Sequence, residues 1–230
     1  DLIGRKIGLP EYQLTACVWI RGLLAEHYGV PLTSVTYYIG GQEEPGRSEK
    51  MRVQLPPEIR VERIGPAQTL ASMLADGEID ALYAPRTPST FYSSPDRVRR
   101  LFDDFKSIER EYFQQTAIFP IMHTLVMRRD VYERDRWIAQ SLLKAFRAAQ
   151  QETYHDLIET SALKMMLPWL VAHVEETRRD MGHDYWPYGL EPNRRTLETF
   201  LRYSYEQGLA KQVLSPDQLF APEALESFKI

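Results

Sequence analysis

The 230-residue sequence predicts an α/β protein, and three observations predict it. Up to Tyr83, apolar runs of strand length alternate with helical stripes in the order β-α-β-β-α-β, the pattern of a sheet with crossover helices. Pro10, Gly29, Gly40-Gly41 and Gly77 close successive runs. Beyond residue 97 the apolar residues recur mostly at helical spacing, so the chain is sheet-rich in front and helix-rich behind.

The elements follow in order. Lys6–Leu9 reads as a strand closed by Pro10. A helix is expected from Tyr12 to Tyr28, carried by Leu14, Cys17, Val18 and Leu24 and stopped by Gly29. Ser34–Ile39 is a strand by its β-branched and aromatic content, broken by Gly40-Gly41, and QEEPGRSEK after it is a polar loop. Met51–Gln54 and Ile59–Arg63 read as strands flanking Pro56-Pro57. Gln68–Ala75 is a short helix ended by Gly77, and Ile79–Tyr83 a last strand. Arg97–Gln115 turns helical, and Ile118–Arg128 is apolar and extended around Pro120. Three further stripes follow: Ile138 to Ala149, Leu163 to Val174 with Pro168 kinking or restarting the helix, and Leu197 to Ser204. An apolar stripe must bury against something. These helices have hardly a strand of their own to cover, and the chain starts without Met almost inside a strand, which suggests further sequence upstream.

Composition narrows the function classes. Hydrophobic residues at 43% and charged residues at 26% are those of a globular protein, and the net charge of −4 argues against a nucleic-acid partner. No apolar run reaches the roughly 18 residues that read as a membrane span. The single cysteine, Cys17, excludes an intrachain disulfide and a Cys-rich metal site, and its place on an apolar helical face makes it a small buried hydrophobe. No His pair at i, i+4 supports zinc and no metal ligands are assigned, which leaves open a divalent ion held by carboxylates. A homo-oligomer is compatible with all of this.

The opening DLIGRKIGLPEYQLTACVWIRGLL is similar to the start of the second lobe in type II periplasmic-binding-protein folds. LASMLADGEIDALYAPR matches a later landmark of that fold: helix, glycine, short strand with Asp-Ala, then a ligand-facing loop. Longer stretches resemble the 4,5-dihydroxyphthalate decarboxylase family over nearly the whole chain, among them GGQEEPGRSEK, LADGEIDALYAPRTPSTF, IFPIMHTLVMRRDVYE and WPYGLEPNRRTLETFLRY. GGQEEPGR and IFPIMH are the specific ones. The resemblance implies a two-lobed binding-protein-like fold with the start of the first lobe missing from this chain. Residues 1–118 then form an α/β ligand-binding lobe, and 119–230 supply a crossover strand and the helices of the other. It also implies decarboxylation, without a cofactor, of an aromatic catechol dicarboxylate in the cytoplasm: 4,5-dihydroxyphthalate to protocatechuate and carbon dioxide. The alternative is a non-enzymatic, periplasmic solute-binding protein for an aromatic or dicarboxylic acid.

Such a reaction needs cations for two carboxylates, an acceptor for a phenol and a proton donor aimed at the ring. Arginine suits the first because its planar fork pairs with a carboxylate; histidine suits the last because it titrates near neutrality. The candidates stand where strands give way to loops, the ligand edge of an open α/β sheet. Arg86, stiffened by Pro85 and by Pro88 after Thr87, is the expected carboxylate clamp. Glu43, Glu44 and Arg47 follow the second strand, and Tyr12 and Thr15 open the first helix, whose N-terminus favours an anion. His123 is the expected proton donor, with Glu43 and Glu44 as further catalytic candidates; Arg86, Arg47, Tyr12, Thr15 and Thr87 are the substrate-binding set. Plain alternatives stand beside these: His123 as a core residue of an apolar strand, Glu43-Glu44 as a solvated turn, Arg47 as their counter-charge, Thr15 as a helix cap.

Overall fold

Every strand among the described residues lies before residue 83. The computed structural model describes residues 2–51 and 53–225. β1 (Lys6–Leu9), β2 (Thr36–Ile39), β3 (Arg60–Arg63) and β4 (Ala81–Leu82) form one parallel sheet in the order β3-β2-β1-β4. Leu9 stands opposite Ile39, and Ile39 opposite Arg63, so three strands end level with one another. Crossover helices α1 (Thr15–Tyr28) and α2 (Leu70–Asp76) carry the chain from β1 to β2 and from β3 to β4. The mixed α/β class is as the alternation implied.

The strand period of two distributes the core between the sheet's faces. Ile7, Leu9 and Tyr37 pack with Cys17 and Leu24 of α1 on one face. Leu70 and Met73 of α2 pack with Ile79, Tyr38 and Leu82 on the other. Gly8 faces α2: a Cβ there would lie 2.7 Å from Ile79 Cδ1, so the glycine lets that layer approach the strand. Both helices stop at glycines in the left-handed region, Gly29 at φ 63° and Gly77 at φ 76°. The Thr69 side chain caps α2 by accepting from Ser72 N. Cys17 is fully buried and its Sγ donates to Tyr83 O; burial pushes its thiol up to about 12, the inert role expected for it.

The chain divides into two compact units, one running to Phe105 and rejoined by Thr199–Val213, the other built from Lys106–Glu198 and the described residues from Leu214 onward. In the first, the end of α8 (Arg194–Glu206) lies on α1. A Cβ on Gly22 would fall 2.2 Å from the ring of Tyr203, so that glycine admits the tyrosine. The second unit is helical: α4 (Phe105–Thr116), α5 (Arg129–Arg134), α6 (Trp137–Asp156) and α7 (Leu170–Met181). Arg110 joins α4 to α7 through Glu176 at 2.9 Å and Asp180 at 2.8 Å. α3 (Thr90–Ser93), in the first unit, is a single turn. No helix among the described residues is long and apolar enough to cross a membrane.

Four sequence expectations change. Met51, Val53 and Gln54 are not in a strand, and Arg52 lies outside the described residues. Residues 97–104 are irregular rather than helical; α4 starts only after Asp103-Asp104, residue types that favour a helix start. Ile118–Arg128 forms no strand: Ala117 takes a left-handed φ of 54°, Pro120 lacks a donor, and no strand pairs with the segment. Leu163–Leu167 stays outside a helix as well. Pro168 disfavours helical geometry in the residue before it, and α7 begins at Leu170 after a left-handed Trp169.

Candidate active site

Strand order locates the crevice. From β1 the chain moves to β2 and β3 on one side, then returns to place β4 on the other. The loops leaving β1 and β4 therefore diverge, which opens a crevice at the carboxyl ends of the two strands. Pro10–Leu14 and Tyr83–Ser89 border it, and the loop after β2 stands next to it.

Arg86 sits at the exposed tip of the β4 loop, with Pro85 and Thr87 exposed on either side. The loop is tethered from within. Gln42 Nε2 donates to Arg86 O at 3.3 Å and to Glu43 Oε1 at 3.0 Å. Ser89 donates its N–H to Glu43 at 3.0 Å and its Oγ–H at 2.6 Å. The Arg86 guanidinium has no hydrogen-bond or ion-pair partner among the described residues, so its backbone is held while its charge is available. Partial burial pushes the Glu43 carboxyl up, but the bonds from Ser89 and Gln42 outweigh it and hold the group below its ordinary value. Glu43 is thus an ionised acceptor. Glu44 is exposed, and its carbonyl closes the turn against Gly41.

Arg47 is committed differently. Its Nε and Nη2 both donate to Glu11 Oε1, at 3.0 and 2.5 Å, and Glu11 is only 3% exposed. Its partner is Glu11, not Glu43 or Glu44. The Tyr12 side chain lies in the core, its hydroxyl donating to Gln207 O at 3.1 Å, so its backbone is what borders the crevice. The Tyr12 amide already donates to a carboxylate, Glu49, which also accepts from Gln13 Nε2 at 3.0 Å. Thr15 is the first residue of α1; the residue before it, Leu14, is the N-cap and supplies no side-chain cap. His123 is exposed in the irregular stretch 117–128 of the second unit. The structure therefore joins Glu43 to the Arg86–Thr87 loop and Arg47 to the turn at Tyr12, while His123 belongs to a separate unit.

Three residues of the first unit were missed by sequence reasoning. Glu11 and Glu49 are the carboxylates just described, and the clustering of acids with Arg47 in EPGRSEK beside PEYQ is the signal that could have found them. Arg21, fully buried on α1, lies 3.9 Å from the Tyr12 ring centroid and donates to Tyr12 O at 2.7 Å and Gln207 Oε1 at 2.8 Å. Burial pushes its pKa down, while Tyr12 and Tyr37 offset part of that cost. It fixes the turn at Tyr12 from beneath. Among the described residues no three His, Cys, Asp or Glu side chains group as a metal site.

No family model matches the chain. Over all 230 residues it is 40% identical to the 4,5-dihydroxyphthalate decarboxylase of Comamonas testosteroni, and covers 70% of that protein. Over 114 residues, half of this chain and 44% of the relative, it is 43% identical to the 4,5-dihydroxyphthalate decarboxylase of Pseudomonas putida. The chain belongs to the 4,5-dihydroxyphthalate decarboxylase family. Within the family, the first match extends from the strand at Lys6 through the sheet edge and both units.

Proposed function

We propose that this protein decarboxylates an aromatic catechol dicarboxylate, converting 4,5-dihydroxyphthalate to protocatechuate and carbon dioxide without a cofactor. The observation that carries this reading is the whole-length likeness to a relative named for that substrate. The sheet edge adds an exposed, uncommitted guanidinium on a tethered loop, the chemistry that recognises a carboxylate.

In the proposed reaction Arg86 clamps one substrate carboxylate, with Thr87 beside it. The backbone at Tyr12, the start of α1 at Thr15, and Arg47 complete the anion-favouring surroundings. Glu44, exposed and unencumbered, accepts from a catechol hydroxyl, while Glu43 positions the Arg86 loop through Ser89. Electron density from the oxygens moves to the ring carbon bearing the leaving carboxylate, and His123 delivers a proton there. The carbon–carboxylate bond then breaks, its electron pair returns to the ring, and carbon dioxide departs. The proton consumed is replaced from solvent at the imidazole.

The finer architecture belongs to the same proposal: a two-lobed type II binding-protein-like fold, with residues 1–118 as one lobe and 119–230 contributing to the other, in a cytoplasmic protein. The parallel sheet confined to residues 6–82 and the crevice beside β1 support it. The reading is tested by incubating the purified protein with 4,5-dihydroxyphthalate and following protocatechuate by chromatography. Stoichiometric product is expected. Saturable binding without product would instead establish the solute-binding alternative.

A further inference from the structure

A cavity of about 270 Å³ opens at the ends of β2 and β3, on the same edge of the sheet as the crevice between β1 and β4. Ile39 and Ile64 line it and are neighbours through a 3.1 Å bond from Ile64 N to Ile39 O. Gly40 and Gly65 also line it, and Arg47 and Arg63 supply its charge. Among the described residues no Asp or Glu lines it.

We propose that this cavity is a carboxylate-recognition pocket for a planar aromatic acid, with Arg63 as its principal cation and Arg47 as its second. The identity of the acid, a benzene dicarboxylate, rests on the decarboxylase reading; the pocket rests on its own geometry.

Arg63 ends β3 and faces the loops at the ligand edge of the sheet. Its guanidinium has no hydrogen-bond or ion-pair partner among the described residues. Arg47 shares the cavity and is already oriented, because the buried Glu11 takes its Nε and Nη2 and leaves Nη1 uncommitted. A guanidinium held in place before the ligand arrives loses less freedom on binding than a mobile one. Glu11 balances one of the two positive charges, so the pocket keeps a net charge of one sign. An anion is its natural occupant.

Shape narrows the class. A Cβ on Gly40 would lie 2.3 Å from Ile64 Cγ1, so glycine lets that turn close onto the isoleucine and leaves the backbone uncovered. Two isoleucines give a surface for the face of a ring, while the arginine forks meet a carboxylate at its edge. The volume lies below the ~300–1,000 Å³ of drug-sized sites, which suits a single ring.

The test is calorimetric titration of the 230-residue chain with phthalate, which lacks the hydroxyls that drive decarboxylation, alongside turnover of 4,5-dihydroxyphthalate. Arg63→Met is expected to weaken phthalate binding at least ~10-fold and to raise KM in step with kcat little changed, the pattern of lost ground-state binding. Arg63→Lys should recover part of the loss, because a point charge replaces a fork. Melting temperatures of both should match the parent, since Arg63 is exposed; Arg63→Gln serves if the methionine variant melts early. Unchanged phthalate affinity in Arg63→Met, or no phthalate binding by the parent protein, overturns the pocket. The two readings separate cleanly: Arg63-dependent phthalate binding without turnover keeps the pocket and removes the decarboxylase, whereas turnover with parental KM in Arg63→Met does the reverse.

Discussion

Arg47 and Arg86 both stand on loops that leave strands of one parallel sheet, yet the structure treats them in opposite ways. Arg47 is tied to a carboxylate that is itself buried, so its charge is largely balanced within the protein. Around Arg86 the tether is made by other groups, Gln42, Glu43 and Ser89, and the guanidinium is left over. A charge that holds a loop in place and a charge that a held loop presents look alike in sequence. Their partners separate them, and so do the measurements they should affect: stability as well as binding for the first, binding alone for the second.

The largest expected effect sharpens the contrast by isolating chemistry from both. His123→Gln should lower kcat by ~10²–10⁴, the usual worth of a placed general acid, with KM within a few-fold of the parent in steady-state kinetics. Full activity would remove this imidazole and move the search to Glu43 or Glu44. Next, Arg86→Met should reduce kcat/KM by about 30-fold or more, or ~2 kcal/mol, because a substrate carboxylate loses its fork. Its melting temperature should not move, since the side chain is exposed and partnerless.

Arg47→Met should act on the fold. It leaves the Glu11 carboxylate buried without a partner, at a cost of about 1–3 kcal/mol in denaturant unfolding, moderated by the water that reaches this pair. Glu11→Gln added to it should restore most of the loss. The smallest effect concerns the tether. Since Glu43 is held below its ordinary value, its contribution is present above the unfolded-state pKa and lost as pH falls through the folded one. The stability difference between the parent and Glu43→Gln should therefore be constant near neutrality and close as the solution is acidified below about pH 4. In this solvent-exposed setting it should amount to a few tenths of a kcal/mol.

The frame of the first unit was legible because its signals are local. β1 stands where Lys6–Leu9 was read, Gly29 and Gly77 end their helices, and Cys17 is buried. What failed was decided over longer distances. Ile118–Arg128 has the composition of a strand, but composition does not supply a neighbouring edge, and the segment has none. The stripe across Leu163–Val174 was right in period and wrong in start, because Pro168 delayed the helix. The ligand edge was readable as a set of loops, whereas the pairing within it was not. Nothing near Arg47 in sequence says that its partner is Glu11, thirty-six positions away and buried. Arg63 was read only as the end of a strand, since its value depends on the cavity it lines with Ile39 and Gly40 at the end of another strand.

The central claim is that the uncommitted guanidinium at Arg86 serves the binding of a carboxylate substrate and not the fold. The most direct measurement is kcat/KM for 4,5-dihydroxyphthalate in Arg86→Met, set against its melting temperature in the same preparation. The account predicts a fall in kcat/KM of about 30-fold or more at an unchanged melting temperature. Parental kcat/KM in a protein that melts normally would contradict it.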